Sequence, residues 1–314
     1  MKEIKIGIIG MTEGNGHPYS WSAIINGNYN QDEMKKCGYQ VIVDYLLKEP
    51  KENWGIPGAR VTHVYTDDPA DAVKVSRASL IPNIVDKPED LIGNVDAVII
   101  ATDIGSQHVE RARPFIEAGL PLFIDKPLAD NEKDLKIFID WVNEGKKILS
   151  SSAMRYVPSY EKYKTSELKN FVGEIRFVNV NSPKKWETYG IHALETVYQI
   201  LKPGFTSVRN TGTYEKNIVH IKHSSGADLI IAVIYDMFCE KPIICGTKGC
   251  EYLNNTDTTY IIFKEQLEAA VEYFRTGERP FPFEETIELM KLVIAGIKSR
   301  EQNGNEIFLK DILI

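Results

Sequence analysis

Two short apolar segments on either side of a helix-like stretch constrain the fold of this chain more than any other feature of its sequence. The first segment spans residues 95–102, the stretch 106–118 is followed by Gly119, and the second segment spans 120–124. Glycine is the residue most often found just beyond a helix C-terminus. Strand, helix and strand in this order form a crossover unit, which joins parallel strands of one sheet. The sequence therefore predicts an α/β domain.

The second apolar segment runs directly into Asp125, Lys126 and Pro127. Ligands of open parallel sheets bind in the crevice beyond the carboxyl ends of the strands, so an acid and a lysine are predicted at such a place. A lysine held there can donate a proton to a carbonyl or alcohol oxygen. The alternative is a solvated loop lysine, and the tripeptide by itself does not exclude it.

The residues of this unit resemble those of a known family. In chain order they are Ala101-Thr102, His108, Ala118-Gly119 and Asp125-Lys126-Pro127. This order is similar to that of the Gfo/Idh/MocA family of glucose-fructose oxidoreductase, inositol dehydrogenase and rhizopine catabolism proteins, where the last motif is usually Glu-Lys-Pro. The resemblance runs over nearly the whole chain. It implies an N-terminal Rossmann domain with a doubly wound parallel sheet and a C-terminal α+β domain with a large, mostly antiparallel sheet.

Length and charge limit the class of protein. A chain of 314 residues fits about two domains, predicted here as a dinucleotide-binding domain over 1–150 and a substrate-binding domain over 151–314. The 37 basic and 44 acidic residues give a net charge of -7, and no basic stripe is interleaved with aromatics, so no nucleic-acid partner is expected. Apolar runs at 97–101 and 229–234 are too short to cross a bilayer, and strand-like sequence begins at Ile4. We therefore expect a cytoplasmic protein without a membrane partner.

The cysteines point to the same compartment. Cys37, Cys239, Cys245 and Cys250 include no C-x-x-C pair, so reduced thiols and no metal site are expected. Cys245 and Cys250 flank the turn 246–249, which matches a recurring Gly-Thr-x-Gly turn of the family and is interpreted as structural.

The first strand-like segment, 4–10, leads into a loop that contains several glycines. Dinucleotide-binding units carry G-x-G-x-x-G here, so that backbone amides and a helix N-terminus approach the pyrophosphate. Gly10 matches the first glycine, Thr12 occupies the second position, and Gly14 and Gly16 fall on either side of the third. The loop alone leaves phosphate binding open, and the resemblance favours it. Thr102, His108 and Asp125 are implied as further cofactor-binding residues.

The predicted second strand, 59–66, bears on the choice of nucleotide. A carboxylate at the end of this strand binds the adenosine ribose and repels a 2′-phosphate. The usual acid of the family falls on Thr66, with Asp67 one residue later, so NAD is favoured over NADP only slightly. In the alternative, Asp67 and Asp68 only cap a helix. Residues 27–57, between the first helix and this strand, form an apparent insertion whose role the sequence does not predict.

The pattern changes after Gly173. Segments of alternating or apolar sequence separated by turn residues predict an antiparallel sheet, at 174–181, 205–213, 217–223 and 227–236. Helices are predicted at 265–275 and 284–300. The resemblance implies a homodimer or homotetramer formed through this C-terminal sheet.

A second group of candidate catalytic residues lies before this sheet. Residues 188–195 resemble the D-x-G-x-H-x-x-D segment of the family, with Thr188 in place of the first aspartate and Glu195 in place of the last. His192 and Glu195 share one stripe of a helix. A histidine can take a hydroxyl proton near neutral pH as hydride leaves the same carbon, with Glu195 or Glu187 orienting it. The alternative is a histidine that only seals a surface between domains.

Candidate substrate contacts surround these residues. They are Lys126, Arg155, Lys185, Trp186 and His192. Arg155 lies in a segment, 154–158, that resembles Arg-Phe-x-Pro of the family. Lys184 and Lys185 suggest a carboxylated or phosphorylated sugar, with solvated lysines as the alternative.

The function implied by the resemblance is an NAD(P)-dependent oxidoreductase acting on a CH–OH group of a sugar, a cyclitol or a related polyhydroxy compound. Lys126 would polarise or protonate the reacting oxygen, and His192 would relay the proton. Two alternatives share the fold: a non-catalytic regulator that senses a nucleotide or sugar, and an NAD-dependent glycoside-cleaving enzyme.

Overall fold

The computed structural model describes residues 3–239 and 241–313, which divide into two compact units. The first unit contains the described residues through Asp125, Ile137–Ser151 and Thr258–Phe281. The second contains Lys126–Lys136, Ser152–Asp257 and the described residues from Pro282 onward. Each unit is thus assembled from three stretches of chain, whereas the sequence predicted two continuous domains.

The first unit is built on a parallel sheet. Its strands are β1 (Ile4–Ile9), β2 (Ala59–Tyr65), β3 (Asn83–Ile84), β4 (Ala97–Ile100), β5 (Leu122–Ile124) and β6 (Ile148–Ser150). They lie in the order β3-β2-β1-β4-β5-β6, and every pairing is parallel. This order reverses between β1 and β4, as in dinucleotide-binding folds. Residues of β4 and β5 are all buried, because helices cover both faces of such a sheet. The predicted Rossmann domain is confirmed.

The helices confirm the crossover unit. Their bounds are α1 (His17–Asn26), α2 (Gln31–Met34), α3 (Gln40–Lys48), α4 (Pro69–Ser79), α5 (His108–Glu117), α6 (Glu132–Asn143), α7 (Ser166–Val172), α8 (Trp186–Leu201), α9 (Thr259–Thr276) and α10 (Phe283–Glu301). Between β4 and β5, α5 is preceded by a short 3-10 turn at Gly105–Gln107. None of the described helices combines the length and apolar character needed to cross a membrane.

The insertion folds as part of the first unit. It supplies α2 and α3, and Met34, Ile42 and Leu46 are buried in the core with α1. A Cβ placed on Gly16 would lie 2.7 Å from Ile42 Cδ1, so the insertion packs directly against the start of α1. The ring of Trp54 stacks on that of a neighbouring tyrosine at 5.1 Å. The insertion is therefore a structural layer of this unit.

Helix α9 explains why the first unit is discontinuous. The chain returns to this unit after the second sheet, and Tyr260, Leu267 and Val271 join the core that contains α1 and α3. The ring centroid of Tyr260 lies 5.0 Å from that of Trp54 in the insertion. No local sequence pattern reveals such a long-range contact.

The second unit is built on a mixed sheet. Its strands are β7 (Ile175–Pro183), β8 (Phe205–Asn210), β9 (Lys216–His223), β10 (Asp228–Ile234), β11 (Ile243–Gly246), β12 (Cys250–Tyr252) and β13 (Ile307–Phe308). Their order is β12-β11-β7-β10-β9-β8-β13, and among the described pairings of this sheet only β7–β10 is parallel. Alternate residues such as Val178, Val180 and Ile231 are buried. The predicted α+β domain is thus confirmed.

Candidate active site

The loop after β1 lies at the carboxyl edge of the first sheet. A Cβ on Gly10 would overlap the ring of Pro18, so only glycine fits there. Gly14 has a φ of +77° and nothing within 4 Å of an added Cβ, which leaves its backbone accessible. Thr12, at the second glycine position, donates from Oγ1 to Asp103 Oδ1 at 2.6 Å. The threonine therefore ties this loop to the loop that follows β4.

The N-terminus of α1 supports this loop from the other side. The His17 amide donates to Asn15 Oδ1 at 2.9 Å, and the Gly10 amide donates to the Tyr65 carbonyl at 3.1 Å. Gly16 faces Tyr39 and Ile42 of the insertion. Close packing is thus one reason for the glycine at position 16.

A buried polar cluster lies at the end of β5. Asp125 Oδ2 accepts from Asn15 Nδ2 at 3.2 Å and lies 2.9 Å from His17 Nδ1. The imidazole of His17 stacks on the indole of Trp21 at 4.2 Å between centroids. The sequence singled out Asp125 but neither of its two neighbours. Polar residues in the first loop and at the start of α1 were the only available signal.

Thr102 and His108 belong to the loop after β4. Both are fully buried, and His108 Nε2 lies 3.0 Å from the Thr102 carbonyl oxygen. The histidine therefore supports the backbone of this loop. Thr102 Oγ1 is buried and has no hydrogen-bond partner among the described residues.

The two acids after β2 have different partners. Asp68 caps α4, because its Oδ1 accepts from the Ala70 amide at 2.9 Å. Asp67 instead forms a bidentate ion pair with Arg111 of α5. Arg111 Nη1 donates to Oδ1 at 3.1 Å, and Nη2 donates to Oδ2 at 2.6 Å. Gln107 Oε1 accepts from the same guanidinium at 3.0 Å. Sequence reasoning missed Arg111, because nothing in its neighbourhood marks a contact 44 residues away.

In the second unit, Lys126 and His192 meet at one aromatic ring. Lys126 Nζ lies 5.5 Å from the ring centroid of Tyr189, and the imidazole of His192 packs edge-on against the same ring at 4.8 Å. Lys184 Nζ lies 4.4 Å from this centroid. Ser152 Oγ is 2.7 Å from His192 Nδ1. We call Lys126, Lys184, Tyr189, His192 and Ser152 the Tyr189 cluster.

Glu195 has different neighbours from those that the sequence suggested. Its Oε1 accepts from the Ser152 amide at 3.2 Å, and its Oε2 pairs with Arg155 Nε at 2.5 Å. Arg155 in turn donates to Glu285 Oε2 at 2.6 Å. Burial raises the pKa of Glu195, while Arg155 and the Ser152 amide act in the opposite direction. Ser152 thus joins Glu195 to His192.

Three predicted substrate or orienting residues lie in other surroundings. Arg155 belongs to the buried ion network just described. Trp186 is fully buried, its Nε1 donates to the Val293 carbonyl at 2.9 Å, and Gly190 and Gly296 pack against its ring, so it is part of the core. Glu187 pairs with Arg300. The periodicity placed these side chains near His192 but gave no information on their partners in other elements.

Lys185 is a half-buried cation at the N-terminus of α8. Its Nζ lies 5.0 Å from the ring centroid of Tyr214, and the hydrogen bond to that hydroxyl raises the pKa of the lysine. The structure gives it a surface contact with an aromatic ring.

Comparison with known proteins gives a consistent result. A family model described as an oxidoreductase family with an NAD-binding Rossmann fold, Gfo/Idh/MocA, matches residues 4–152. Inositol 2-dehydrogenase 3 of Saccharopolyspora erythraea is 25% identical over 246 residues, which cover 69% of this chain and 72% of that protein. Inositol 2-dehydrogenase 1 of the same organism is 36% identical over 112 residues, which cover 34% of this chain and 33% of that protein.

Solved structures share the fold over almost the whole chain. The scyllo-inositol dehydrogenase of Lactobacillus casei with bound NAD(H) and scyllo-inositol has a TM-score of 0.76 at 14% identity and covers 99% of this chain and 100% of its own. A probable dehydrogenase of Thermotoga maritima has a TM-score of 0.74 at 16% identity, covering 99% and 100%.

The sheet order and the family match together define an oxidoreductase-type, NAD-binding Rossmann fold over residues 4–152. Residues 4–152 match the Gfo/Idh/MocA family, and similarity to an inositol dehydrogenase extends over 69% of the chain. The resemblance on which the sequence interpretation rested is therefore confirmed.

The first unit has two structural features that suit a bound dinucleotide. Thr102 Oγ1 is a buried hydroxyl whose hydrogen bonds are unfilled in the described part of the chain, and it follows a strand at the switch point of the sheet. The open backbone at Gly14 gives access to the loop after β1. These features fit a bound dinucleotide.

Proposed function

We propose that this protein is an NAD-dependent dehydrogenase that oxidises a CH–OH group of a cyclitol, a sugar or a related polyhydroxy compound. The observation that carries the proposal is the Tyr189 cluster, which brings a lysine and a histidine to one ring. The inositol dehydrogenases among the relatives support this substrate class. Bound nicotinamide supplies the acceptor for the hydride.

The roles within the Tyr189 cluster follow from its contacts. With the Nδ1 proton of His192 donated to Ser152 Oγ, the lone pair on Nε2 can accept the hydroxyl proton of the substrate. Lys126 carries a positive charge that stabilises the oxygen as this proton leaves. Glu195 fixes Ser152 through its amide and is thereby a positioning residue for His192.

The first unit would hold the cofactor at the carboxyl edge of its sheet. Gly14 and Thr102 offer the loop backbone and a buried hydroxyl. We propose a slight preference for NAD, because the Asp67 carboxylate follows β2, the strand whose end carries the ribose-binding acid in dinucleotide-binding folds. Arg111 is already bound by that carboxylate and by Gln107, so it does not offer an unoccupied guanidinium to a 2′-phosphate.

We propose that the chain assembles as a homodimer or homotetramer through the second sheet. The face of the sheet opposite α8 exposes the apolar side chains of Phe177 on β7 and Ile218 on β9, the two strands on either side of β10. Exposed apolar patches of this kind mark association surfaces. Ile218→Lys should lower the mass measured by light scattering after gel filtration, and an unchanged mass would remove this face from the interface.

The four free cysteines suit a cytoplasmic location.

The direct test combines nucleotide binding with a substrate screen. Fluorescence titration should show saturable binding of NADH, and a panel of inositols and sugar alcohols should yield absorbance at 340 nm with NAD. Tight nucleotide binding without turnover on any polyol would favour the regulator, which the threonine at position 188 supports. Turnover of a glycoside without net release of NADH would instead favour the glycoside-cleaving enzyme.

A further inference from the structure

The hairpin of β11 and β12 places two cysteines opposite each other. The strands pair antiparallel, and Cys245 lies across from Cys250. The sequence had shown only that these cysteines lie on either side of a turn. In the structure both carry free thiols, so the pair is a dithiol on neighbouring strands.

The hydrogen-bond pattern identifies the type of this pair. The Gly246 amide donates to the Gly249 carbonyl at 2.9 Å, and the Leu253 amide donates to the Pro242 carbonyl at 2.8 Å. Hydrogen-bonded pairs alternate with non-hydrogen-bonded pairs along an antiparallel ladder. Gly246–Gly249 and Pro242–Leu253 are hydrogen-bonded pairs of this ladder. Alternation from either of them makes Cys245–Cys250 a non-hydrogen-bonded pair. In such pairs the Cα atoms are about 4.5 Å apart and the side chains are closest.

That separation falls within the range of disulfides, whose Cα atoms are usually about 4.4 to 6.8 Å apart. The backbone around the pair is also held in place. The Lys248 amide donates to the Val172 carbonyl at 2.8 Å, and the Thr247 amide donates to the Glu174 carbonyl at 3.0 Å. The turn is therefore anchored to the chain before β7, and the two cysteines are kept in register.

Solvent reaches both thiols, in contrast to Cys37, which is buried. Cys250 is exposed and Cys245 is half-buried. Burial and the hydrogen bond to the Cys250 thiol raise the pKa of Cys245 to about 11. Cys250 is therefore the thiol that first meets a dissolved oxidant, with Cys245 in place as the second thiol.

We propose that Cys245 and Cys250 form a redox modification site, at which a hydroperoxide converts the two thiols into an intramolecular disulfide. The Cys250 thiol loses its proton, and the thiolate attacks an oxygen of hydrogen peroxide. The O–O bond breaks to give a sulfenic acid, and the leaving hydroxide takes up that proton to form water. Cys245 sulfur then attacks Cys250 sulfur, the S–O bond breaks, and a second water leaves with the thiol proton. Two thiols are oxidised by two electrons, and hydrogen peroxide is reduced to two waters.

The experiment treats the full chain with hydrogen peroxide, quenches it with a thiol-alkylating reagent under denaturing conditions, and maps the peptides by mass spectrometry. We expect two of the four thiols to be lost without mass gain from oxygen, and a peptide cross-link between Cys245 and Cys250. Dithiothreitol should restore all four. Cys239→Ser removes another exposed thiol and is the matched control, which should leave the cross-link intact.

Cys245→Ser and Cys250→Ser should each abolish the cross-link, and the thiol that remains should gain oxygen or alkylating reagent. Because the main readout is made on the unmodified chain, poor folding of either variant does not remove the test. The proposal is overturned if both thiols stay free while Cys239 is oxidised, or if the cross-links connect different molecules. The cross-link is measured without nucleotide or substrate, so its result does not depend on nucleotide binding or on turnover.

Discussion

The carboxyl edge of the first sheet and the Tyr189 cluster use their polar side chains in different ways. At the sheet edge, Thr12, Asp67 and Asp125 are each bonded to a side chain from another loop or helix, which fixes the shape of the edge. In the Tyr189 cluster, Lys126 and His192 lie against an aromatic ring, and Ser152 holds one imidazole nitrogen. The first arrangement suits binding, and the second suits proton transfer.

The ion pairs of the two units differ in how deeply they are buried. Arg155 and Glu195 are both almost fully buried, whereas Asp67 is half-exposed beside Arg111. Breaking a buried pair leaves an uncompensated charge without water, while exposed pairs contribute little. The comparison therefore predicts stability effects in the second unit and specificity effects in the first.

The largest effect is expected for Lys126→Met. Loss of the ammonium beside the reacting oxygen should lower kcat by about 10²- to 10³-fold, since removal of one group that stabilises the developing negative charge costs about this much. The affinity for NADH, measured by fluorescence titration, should change by no more than a few-fold. Lys162→Met, which removes another lysine lying over a tyrosine ring, is the matched control. A variant at position 126 with activity close to that of the control would contradict the proposed role.

Arg155→Met should be the most destabilising of the ion-pair variants. It leaves Glu195 buried without its cation, and we expect a loss of about 3–5 kcal/mol in the free energy of unfolding. Arg111→Met, at the exposed pair, should cost no more than about 1 kcal/mol. Urea denaturation followed by circular dichroism measures both. Equal losses of unfolding free energy in the two variants would contradict the proposed difference between the buried and the exposed ion pair.

Ser152→Ala tests the link between Glu195 and the imidazole. Loss of one hydrogen bond is worth about 0.5–1.5 kcal/mol, so kcat/KM should fall by roughly 2- to 13-fold. The acidic limb of its pH profile should move to lower pH, because an acceptor for the imidazolium N–H is gone. Ser152→Thr retains the hydroxyl and should restore both. A fall in kcat/KM with an unmoved profile would indicate a purely structural serine.

A change in cofactor specificity rather than in rate is expected for Asp67→Asn. Removal of the charge leaves Arg111 available to a 2′-phosphate, and the ratio of NADP to NAD affinity should rise by about tenfold, as one charge-assisted hydrogen bond is worth about 1.5 kcal/mol or more. Asp71→Asn, which breaks a surface pair with Lys74, is the control. The gain should vanish in Asp67→Asn combined with Arg111→Met. A wild-type preference for NADP would disprove the assignment of Asp67.

Local patterns predicted the β4–α5–β5 unit, because helix and strand periodicities are properties of neighbouring residues. The same patterns predicted the antiparallel part of the second sheet but not the parallel pair β7–β10, which joins strands far apart in the sequence. They started helix α9 at 265 rather than Thr259, since the first turn carries no distinctive apolar spacing.

The candidate site was predictable only in part. Lys126 and His192 were found from motifs, and the structure brings them to Tyr189. Trp186 was misplaced because nothing in its own helix shows that two glycines enclose its ring. The contact of Arg155 with Glu195 joins residues 40 positions apart, and a single sequence contains no record of such pairing.

The return of α9 to the first unit sets the order in which this protein can be completed during its synthesis. The sheet of that unit is finished when β6 leaves the ribosome, yet its core lacks Tyr260 and Leu267 until more than a hundred further residues have been added. At about 5–20 residues per second this interval lasts on the order of ten seconds. Throughout it the apolar surface of α1 and the insertion is open to solvent, so the nascent chain is most exposed to aggregation and to chaperones while the second sheet is being made.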